Sequence, residues 1–132
     1  SYHGVTCSAA AGTALATGEK TKNGTIGMDK EQKEPLYSVA VRAKEAGRKV
    51  GIITSVGMNH ATPAAFYGHQ PRRTMYFELG KDAIKAGFDL YGGGGIIQPY
   101  PRKIPRIFLI CYESGYLVVG KRDVSGKDGR DL

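Results

Sequence analysis

The sequence has few of the features that would assign a chain to a membrane or to a disulfide-rich scaffold. It has no apolar run near the roughly 18 residues that a membrane-spanning helix requires, and it does not open with the charged and then apolar stretch of a secretory signal. The only two cysteines, Cys7 and Cys111, lack CxxC spacing and therefore fix neither a disulfide nor a redox compartment. The chain begins at Ser1 without an initiator methionine, from which we expect an excised fragment.

Acidic residues are also fewer than basic ones. The chain has 19 lysines and arginines and 12 aspartates and glutamates, which gives a net charge of +7. This charge favours an anionic partner without identifying one, so phosphate esters, nucleic acid and acidic lipid headgroups all remain open. The 132 residues, 41% of them hydrophobic, suffice for one modest core.

The sequence contains three copies of one pattern, in which a predicted helix ends at a glycine and is followed by a short apolar strand. This pattern occupies residues 43–52, 83–92 and 111–120. Gly47, Gly87 and Gly115 stand where a left-handed helix cap requires a residue without Cβ, and Pro35 is well placed to open the first helix. Residues 49–56 form a nearly continuous apolar run, which is typical of a strand buried on both faces of a parallel sheet. The alternation predicts an α/β fold, a three-layer α/β/α sandwich with a largely parallel central sheet.

Three stretches are poor in regular signal. Residues 19–34 are polar, and Asn23 and Gly24 predict a tight turn within them. Residues 91–105 combine glycines and prolines and are predicted to form a loop. Residues 121–132 have too few apolar side chains to anchor themselves.

Ser8 lies at a predicted junction between a strand end, GVT, and a helix of small residues closed by Gly18. A hydroxyl at a helix N-terminus can attack a phosphoryl or acyl centre while unpaired backbone N–H groups hold the anionic oxygens. An ordinary N-cap serine is the commoner arrangement in proteins, and the local pattern alone favours it.

Three known motifs compete for this segment, and none of them fits. Residues 12–21 miss the phosphate-binding loop because five residues separate the glycines and Glu19 precedes Lys20. A nucleophile elbow needs glycines where Thr6 and Ala10 stand. A nucleophilic cysteine would need a Cys-His family pattern that does not surround the neighbouring thiol.

Residues 54–73 follow the apolar run and carry polar side chains where open α/β sheets bind ligands, beyond the carboxyl ends of the strands. His60 and Thr62 supply one imidazole and one hydroxyl, fewer ligands than a metal site needs, so others would have to come from elsewhere. Taken alone, the segment also fits a helix start with Thr62 as the cap and Pro63 at the first helical position. Arg73, taken alone, also fits a solvated charge.

Together the two segments resemble the alkaline phosphatases. That family carries a D-S-A-A-x-x-T-A block and then a K-T-x-N-G-x-x-G-x-D turn, and this chain has CSAAAGTALATGEKTKNGTIGMD at residues 7–29. The family's next block is D/H-A-T-P, an alanine-rich helix, a histidine and an arginine four places on, and this chain has NHATPAAFYGHQPRR at 59–73. A weaker match is FDLYGGGG at 88–95. The resemblance is good over residues 2–95 and general over 96–132.

The resemblance implies a metal-dependent phosphate monoester hydrolase that acts through a phosphoserine intermediate. Ser8 is then the nucleophile, and Arg73 is the guanidinium that clamps the phosphate. Thr62 resembles a direct ligand of magnesium, and His60 lies where the family has Asp or His near that ion. His69 matches a family residue to which we assign no catalytic role.

Two zinc ions are also implied, with most ligands downstream of the glycine cluster and one upstream of the serine. No histidine follows His69, so we expect residues 1–132, a partial catalytic domain, to be unable to assemble the two-zinc centre and to be inactive alone. Cys7 departs from the family pattern, in which Asp usually precedes the serine and hydrogen-bonds the arginine. A neutral thiol is a weaker acceptor, which predicts looser phosphate binding.

Two other classes of function stay open, a non-catalytic phosphate- or nucleotide-binding α/β module and a basic nucleic-acid binder. The basic residues are scattered and match no recognition motif, so we expect no nucleic acid as a specific partner. The partner implied by the resemblance is a phosphate monoester substrate. The resemblance also implies a periplasmic or secreted location, and a homodimer of the full-length protein is an open possibility.

Overall fold

A computed structural model describes residues 4–98 of the chain. The elements of that part are α1 (Ser8–Thr17), α2 (Val39–Glu45), β1 (Gly51–Ile53), α3 (Ala61–Ala64), α4 (Tyr76–Ala86) and β2 (Leu90–Gly92). None of these helices is both long and apolar enough to cross a bilayer. The predicted cap at Gly115, Cys111 and the tail 121–132 lie outside the described residues.

The two strands pair in parallel, with Gly51 opposite Leu90 and Ile53 opposite Gly92. The chain leaves β1, passes through α3 and α4, and returns as β2, which is a βαβ connection. The α/β class and the parallel pairing are therefore confirmed. Because no third strand joins this sheet within residues 4–98, the three-layer sandwich stays a prediction.

The glycines predicted to close helices adopt the left-handed conformation. Gly18 follows α1 with a φ of 82°, and Gly87 follows α4 with a φ of 60°. Gly47, one residue beyond the C-cap of α2, has a φ of 76°. L-residues with a Cβ rarely adopt such values, so these predicted helix ends are confirmed.

Pro35 does not open α2, contrary to the prediction, because the helix begins at Val39. Pro35 instead forms an antiparallel bridge with Met28, which holds its backbone extended. Ser38 is the N-cap, and its Oγ accepts a hydrogen bond from the Val41 N–H at 3.2 Å. A serine that satisfies a first-turn N–H group is a stronger start signal than a proline placed upstream of it.

The predicted strand over residues 49–56 is shorter and more exposed than expected. Only Gly51–Ile53 is a strand, and Ile53 is 78% exposed. The reason is that within the described residues β1 has a partner strand on one side alone, so the opposite edge and one face of this apolar run are uncovered.

The buried core lies between the sheet and the helices and centres on three aromatic rings. Tyr67 meets Tyr91 edge to face with centroids 5.7 Å apart, and Phe88 stacks on Tyr91 at 6.0 Å. The Tyr67 hydroxyl donates to the Met58 carbonyl, and the Tyr91 hydroxyl donates to the Ala83 carbonyl. These contacts connect the segment after α3 with β2, and β2 with α4.

Candidate active site

Ser8 is the first residue of α1 and is exposed. Cys7, not Ser8, occupies the N-cap position, and its side chain makes no capping bond to the helix. The predicted helix of small residues after Ser8 is confirmed. The strand predicted before it is not formed within the described residues, where Val5 is 93% exposed.

Cys7 lies in a polar environment created by backbone N–H groups. Its Sγ accepts a hydrogen bond from the Gly24 N–H at 3.0 Å. Burial raises the pKa of the thiol, but the N–H groups of Ala10, Gly24 and Ala9, together with the charge of Arg73, outweigh burial and lower the pKa below its ordinary value. The charge of Arg73 therefore acts on the residue next to Ser8.

Arg73 is half-buried, and its backbone is fixed on the same glycine as Cys7. The Arg73 N–H donates to the Gly24 carbonyl at 2.7 Å. A single residue of the predicted tight turn thus bonds to Cys7 through its N–H and to Arg73 through its carbonyl. This brings the start of α1 and the predicted phosphate-clamping arginine together.

Thr62 lies on α3, which packs directly against α1. A Cβ added at Gly12 would lie 3.0 Å from Ala65 Cβ and 3.8 Å from Thr62 Cα, so the two helices approach as closely as a glycine permits. Gly12 is one turn after Ser8 and therefore shares its helix face. Thr62 is exposed and lies beside the face of α1 that carries Ser8.

The start of α3 differs from the helix start that the sequence alone suggests, with Thr62 as the cap and Pro63 as the first helical residue. His60 is the N-cap of α3, Thr62 is the second helical residue, and Pro63 is the third. Neither Thr62 as a cap nor Pro63 at the first position is observed, because the chain turns helical already at Ala61.

The start of α3 carries two potential metal donors, His60 and Thr62, but no complete metal site is found in the described part of the chain. Within residues 4–98 no group of three or more His, Cys, Asp or Glu side chains could hold a metal ion. His60 Nδ1, however, is buried without a hydrogen-bond partner in the described part. A buried imidazole nitrogen without a partner is an unusual state for a polar group, and it fits a member of a larger ligand set whose other members lie elsewhere.

Two other polar residues of this segment have structural bonds. His69 Nε2 lies 3.1 Å from the Leu36 carbonyl oxygen, and the His69 N–H donates to Asp82 Oδ2 at 3.0 Å. Asn59 is buried, and its side chain bonds to Tyr76 and to both backbone groups of Ile97. These bonds are compatible with the absence of a catalytic role for His69.

Sequence reasoning missed the long-range contacts of the polar stretch at residues 19–34. The tight turn that the sequence predicts at Asn23 and Gly24 is confirmed by a Thr25 N–H bond to the Lys22 carbonyl at 3.1 Å. The contacts of this turn with Cys7 and Arg73 are not predicted by the sequence. The Asn-Gly pair signals a turn, but no local pattern tells which distant backbone groups a turn will meet.

A groove between α2, β1 and α3 shares Thr62 with this cluster. Its volume is about 520 Å³, and its lining is mostly apolar, with Lys49, Thr54 and Thr62 as the polar side chains. Neither Ser8 nor Arg73 contributes to its lining. The groove therefore belongs to the uncovered face of the sheet, and the polar cluster at the start of α1 is the better candidate active site.

Comparison with known proteins gives one family. A sequence model of the alkaline phosphatase family matches residues 1–92. Alkaline phosphatase 4 of Bacillus subtilis is 42% identical over 99 residues, which cover 70% of this chain and 21% of that protein. The alkaline phosphatase of Gadus morhua is 31% identical over 150 aligned positions, covering 95% of this chain and 30% of that protein.

Solved structures agree with the sequence matches. The alkaline phosphatase of the Antarctic bacterium TAB5 superposes with a TM-score of 0.66 and 34% identity over 69% of this chain and 26% of that one. A variant of the TAB5 enzyme has been solved with magnesium bound. The chain spans less than a third of the length of each of these three relatives.

Proposed function

Since the chain belongs to the alkaline phosphatase family, we propose that it forms the nucleophile side of a phosphate monoester hydrolase. The observation that carries this proposal is the shared contact at Gly24, which bonds to Cys7 beside Ser8 and to the backbone of Arg73. Because the residue before Ser8 and the backbone of Arg73 are held on one turn, we expect the side chains of Ser8 and Arg73 to reach the same small anion.

Ser8 is the proposed nucleophile. The Ser8 hydroxyl gives up its proton as Oγ bonds to phosphorus, while the bond from phosphorus to the ester oxygen breaks and the departing alcohol takes up a proton. Water then attacks the phosphorus of phosphoserine and loses a proton, the Ser8 Oγ–P bond breaks, Oγ regains a proton, and inorganic phosphate leaves. Ser8 is exposed at the start of a helix, so an incoming ester can reach it.

The surrounding charges favour a phosphoryl group at this position. Arg73 offers a planar fork of N–H donors that matches two phosphate oxygens. The positive end of the α1 dipole lies at the same place. Since phosphate monoester hydrolysis is among the slowest uncatalysed reactions, several such contributions are needed together.

Magnesium and two zinc ions are the proposed cofactors. Bound metal ions would supply charge neutralisation at the attacking and leaving oxygens and lower the pKa of the nucleophile. In this chain we propose that Thr62 and His60 belong to the magnesium site. Thr62 is exposed, and His60 Nδ1 is buried without a hydrogen-bond partner in the described part of the chain. The zinc ligands would come from other parts of the complete enzyme.

The domain that this proposal requires is larger than the described part. Residues 1–132 would be a portion of a three-layer α/β/α catalytic domain, inactive alone, in a periplasmic or secreted enzyme. The uncovered edge of β1 and the exposed Ile53 support this, since further strands and helices would bury them.

The test is phosphopeptide mapping of the complete enzyme, meaning a polypeptide that carries this chain together with the zinc ligands. After a rapid acid quench during turnover of a labelled phosphate ester, we expect label on Ser8. Ser8→Ala should lose the label and at least about 1,000-fold in kcat, whereas Ser55→Ala, at an exposed serine after β1, should retain both. Phosphate binding without label on Ser8 would instead support a non-catalytic anion-binding module.

A further inference from the structure

The tight turn of Lys22 to Thr25, which we call the Asn23-Gly24 turn, contacts the start of α1 at three points. Asn23 Oδ1 accepts a hydrogen bond from the Cys7 N–H at 3.0 Å, and Asn23 Nδ2 donates to the Val5 carbonyl at 3.0 Å. The third contact is the Gly24 N–H bond to Cys7 Sγ. One carboxamide thus fixes the backbone on both sides of Thr6, immediately before Ser8.

The same turn also contacts Arg73, the residue proposed to bind the phosphate. The Gly24 carbonyl accepts from the Arg73 N–H at 2.7 Å. Gly24 has a φ of 85° at the third position of the turn, the conformation that a type II turn requires and that glycine adopts without strain. The turn is therefore a bridge whose one side holds the residues before Ser8 and whose other side holds Arg73.

The rest of the loop is anchored independently of Asn23. The buried Thr13 hydroxyl accepts from the Gly27 N–H at 3.0 Å and lies 3.4 Å from the Thr25 carbonyl oxygen. Ile26 and Gln70 exchange two backbone hydrogen bonds of 2.9 Å. These bonds hold the loop between α1 and the segment before Arg73 whether or not the Asn23 side chain is present.

Asn23 itself is exposed, yet both ends of its carboxamide bond to residues distant in sequence. An exposed asparagine gains little by exchanging water for such partners, and ordering its side chain costs conformational entropy. Its two bonds therefore matter more for the placement of residues 5–7 than for the stability of the fold.

We propose that Asn23 is a positioning residue that orients Ser8 relative to Arg73 through its carboxamide bonds to Val5 and Cys7. The inference rests on the proposed function, because it names a residue that acts through Ser8. Asn23 does not touch the phosphate in this role. It keeps the first turn of α1, and with it the nucleophilic oxygen, aligned with the group that Arg73 holds.

The experiment compares three substitutions in the complete enzyme with p-nitrophenyl phosphate as substrate. Asn23→Ala removes both bonds, and Asn23→Asp keeps the acceptor for the Cys7 N–H while losing the donor to Val5. Thr21→Val is the matched control, since it removes one hydrogen bond on the same loop, from Thr21 Oγ1 to the Asp29 carbonyl at 3.1 Å. For each variant kcat, KM, the melting temperature and the phosphate label on Ser8 are measured.

We expect Asn23→Ala to lower kcat by about 10- to 100-fold, as misalignment of a reacting group does. Its KM should change by less than about threefold, because the groups that hold the phosphate remain. The kcat of Asn23→Asp should lie between those of Asn23→Ala and the wild type. Thr21→Val should keep the wild-type kcat, and the melting temperatures of Asn23→Ala and Thr21→Val should agree within a few degrees.

The proposal is overturned if the kcat of Asn23→Ala matches that of Thr21→Val. It is also overturned if Asn23→Asp is as impaired as Asn23→Ala, since the retained acceptor would then have no effect. Should Asn23→Ala fail to fold, the kcat of the isosteric Asn23→Asp decides alone, because a value equal to that of Thr21→Val contradicts the inference. A wild-type enzyme without label on Ser8 overturns the proposed function itself, a result that needs no variant of Asn23.

Discussion

Cys7 precedes Ser8 at the start of α1, at the position where the family pattern usually has aspartate. Its sulfur accepts the Gly24 N–H, and the charge of Arg73 is one of the influences that lower the pKa of the thiol. A thiol is nevertheless a weak acceptor compared with a carboxylate. We propose that Cys7 is therefore a weaker orienting partner for the Arg73 guanidinium, so that phosphate is held more loosely and released faster.

Cys7→Asp in the complete enzyme should strengthen inhibition by inorganic phosphate. A charge-assisted hydrogen bond exceeds a neutral one by about 1 kcal/mol, which corresponds to a roughly fivefold lower inhibition constant. The measurement is the inhibition constant of phosphate in steady-state hydrolysis. Cys7→Ser, which supplies only a neutral acceptor, is the control and should not tighten inhibition. Equal inhibition constants for the wild type and Cys7→Asp would remove the idea.

At the scale of elements, the site depends on backbones that approach closely at glycines. Gly12 of α1 faces Ala65 and Thr62 of α3, where any side chain would press the helices apart. Gly27 is more constrained, since a Cβ there would lie 1.9 Å from the Gly68 carbonyl oxygen and its φ is 58°. This contact joins the loop that carries the Asn23-Gly24 turn to the end of the segment that follows α3.

Gly27→Ala should therefore destabilise the protein strongly. Steric overlap with a backbone oxygen and a positive φ together should cost about 3 kcal/mol. Gly47→Ala is the matched control, because Gly47 also has a positive φ of 76° but no atom lies within 4 Å of the place that an added Cβ would take, so it should cost only about 1 kcal/mol. Urea unfolding of both variants in the complete enzyme measures the difference, and equal losses would contradict the steric explanation.

The elements that could be predicted from the sequence are those whose signals are local. Gly18 and Gly87 end helices because they adopt a left-handed backbone conformation that residues with a side chain rarely adopt. The short apolar run around Ile52 is predicted as a strand from its own composition. The start of α2 could not be predicted from Pro35, because Pro35 pairs with Met28 across a loop. The exposure of Ile53 also could not be predicted, since burial of a strand depends on neighbours that the run itself does not specify.

At the scale of the whole molecule, the candidate site is assembled by three segments that are far apart in sequence. Ser8 lies at the start of α1, Thr62 lies at the start of α3, and Arg73 lies in the segment before α4. The two motifs predict these residues as site residues, and that assignment stays a prediction. The turn at Gly24 that joins two of the segments could not be predicted, because a hydrogen bond between distant backbone groups leaves no periodic or compositional signal.

A crystal structure of the complete enzyme with orthovanadate would show whether Ser8 and Arg73 act on a single phosphoryl group. We expect one vanadate whose vanadium atom is contacted by Ser8 Oγ and whose oxygens accept hydrogen bonds from the Arg73 guanidinium at about 2.8 Å. A vanadate that contacts Arg73 while Ser8 lies out of reach, or one bound away from the start of α1, would contradict the account.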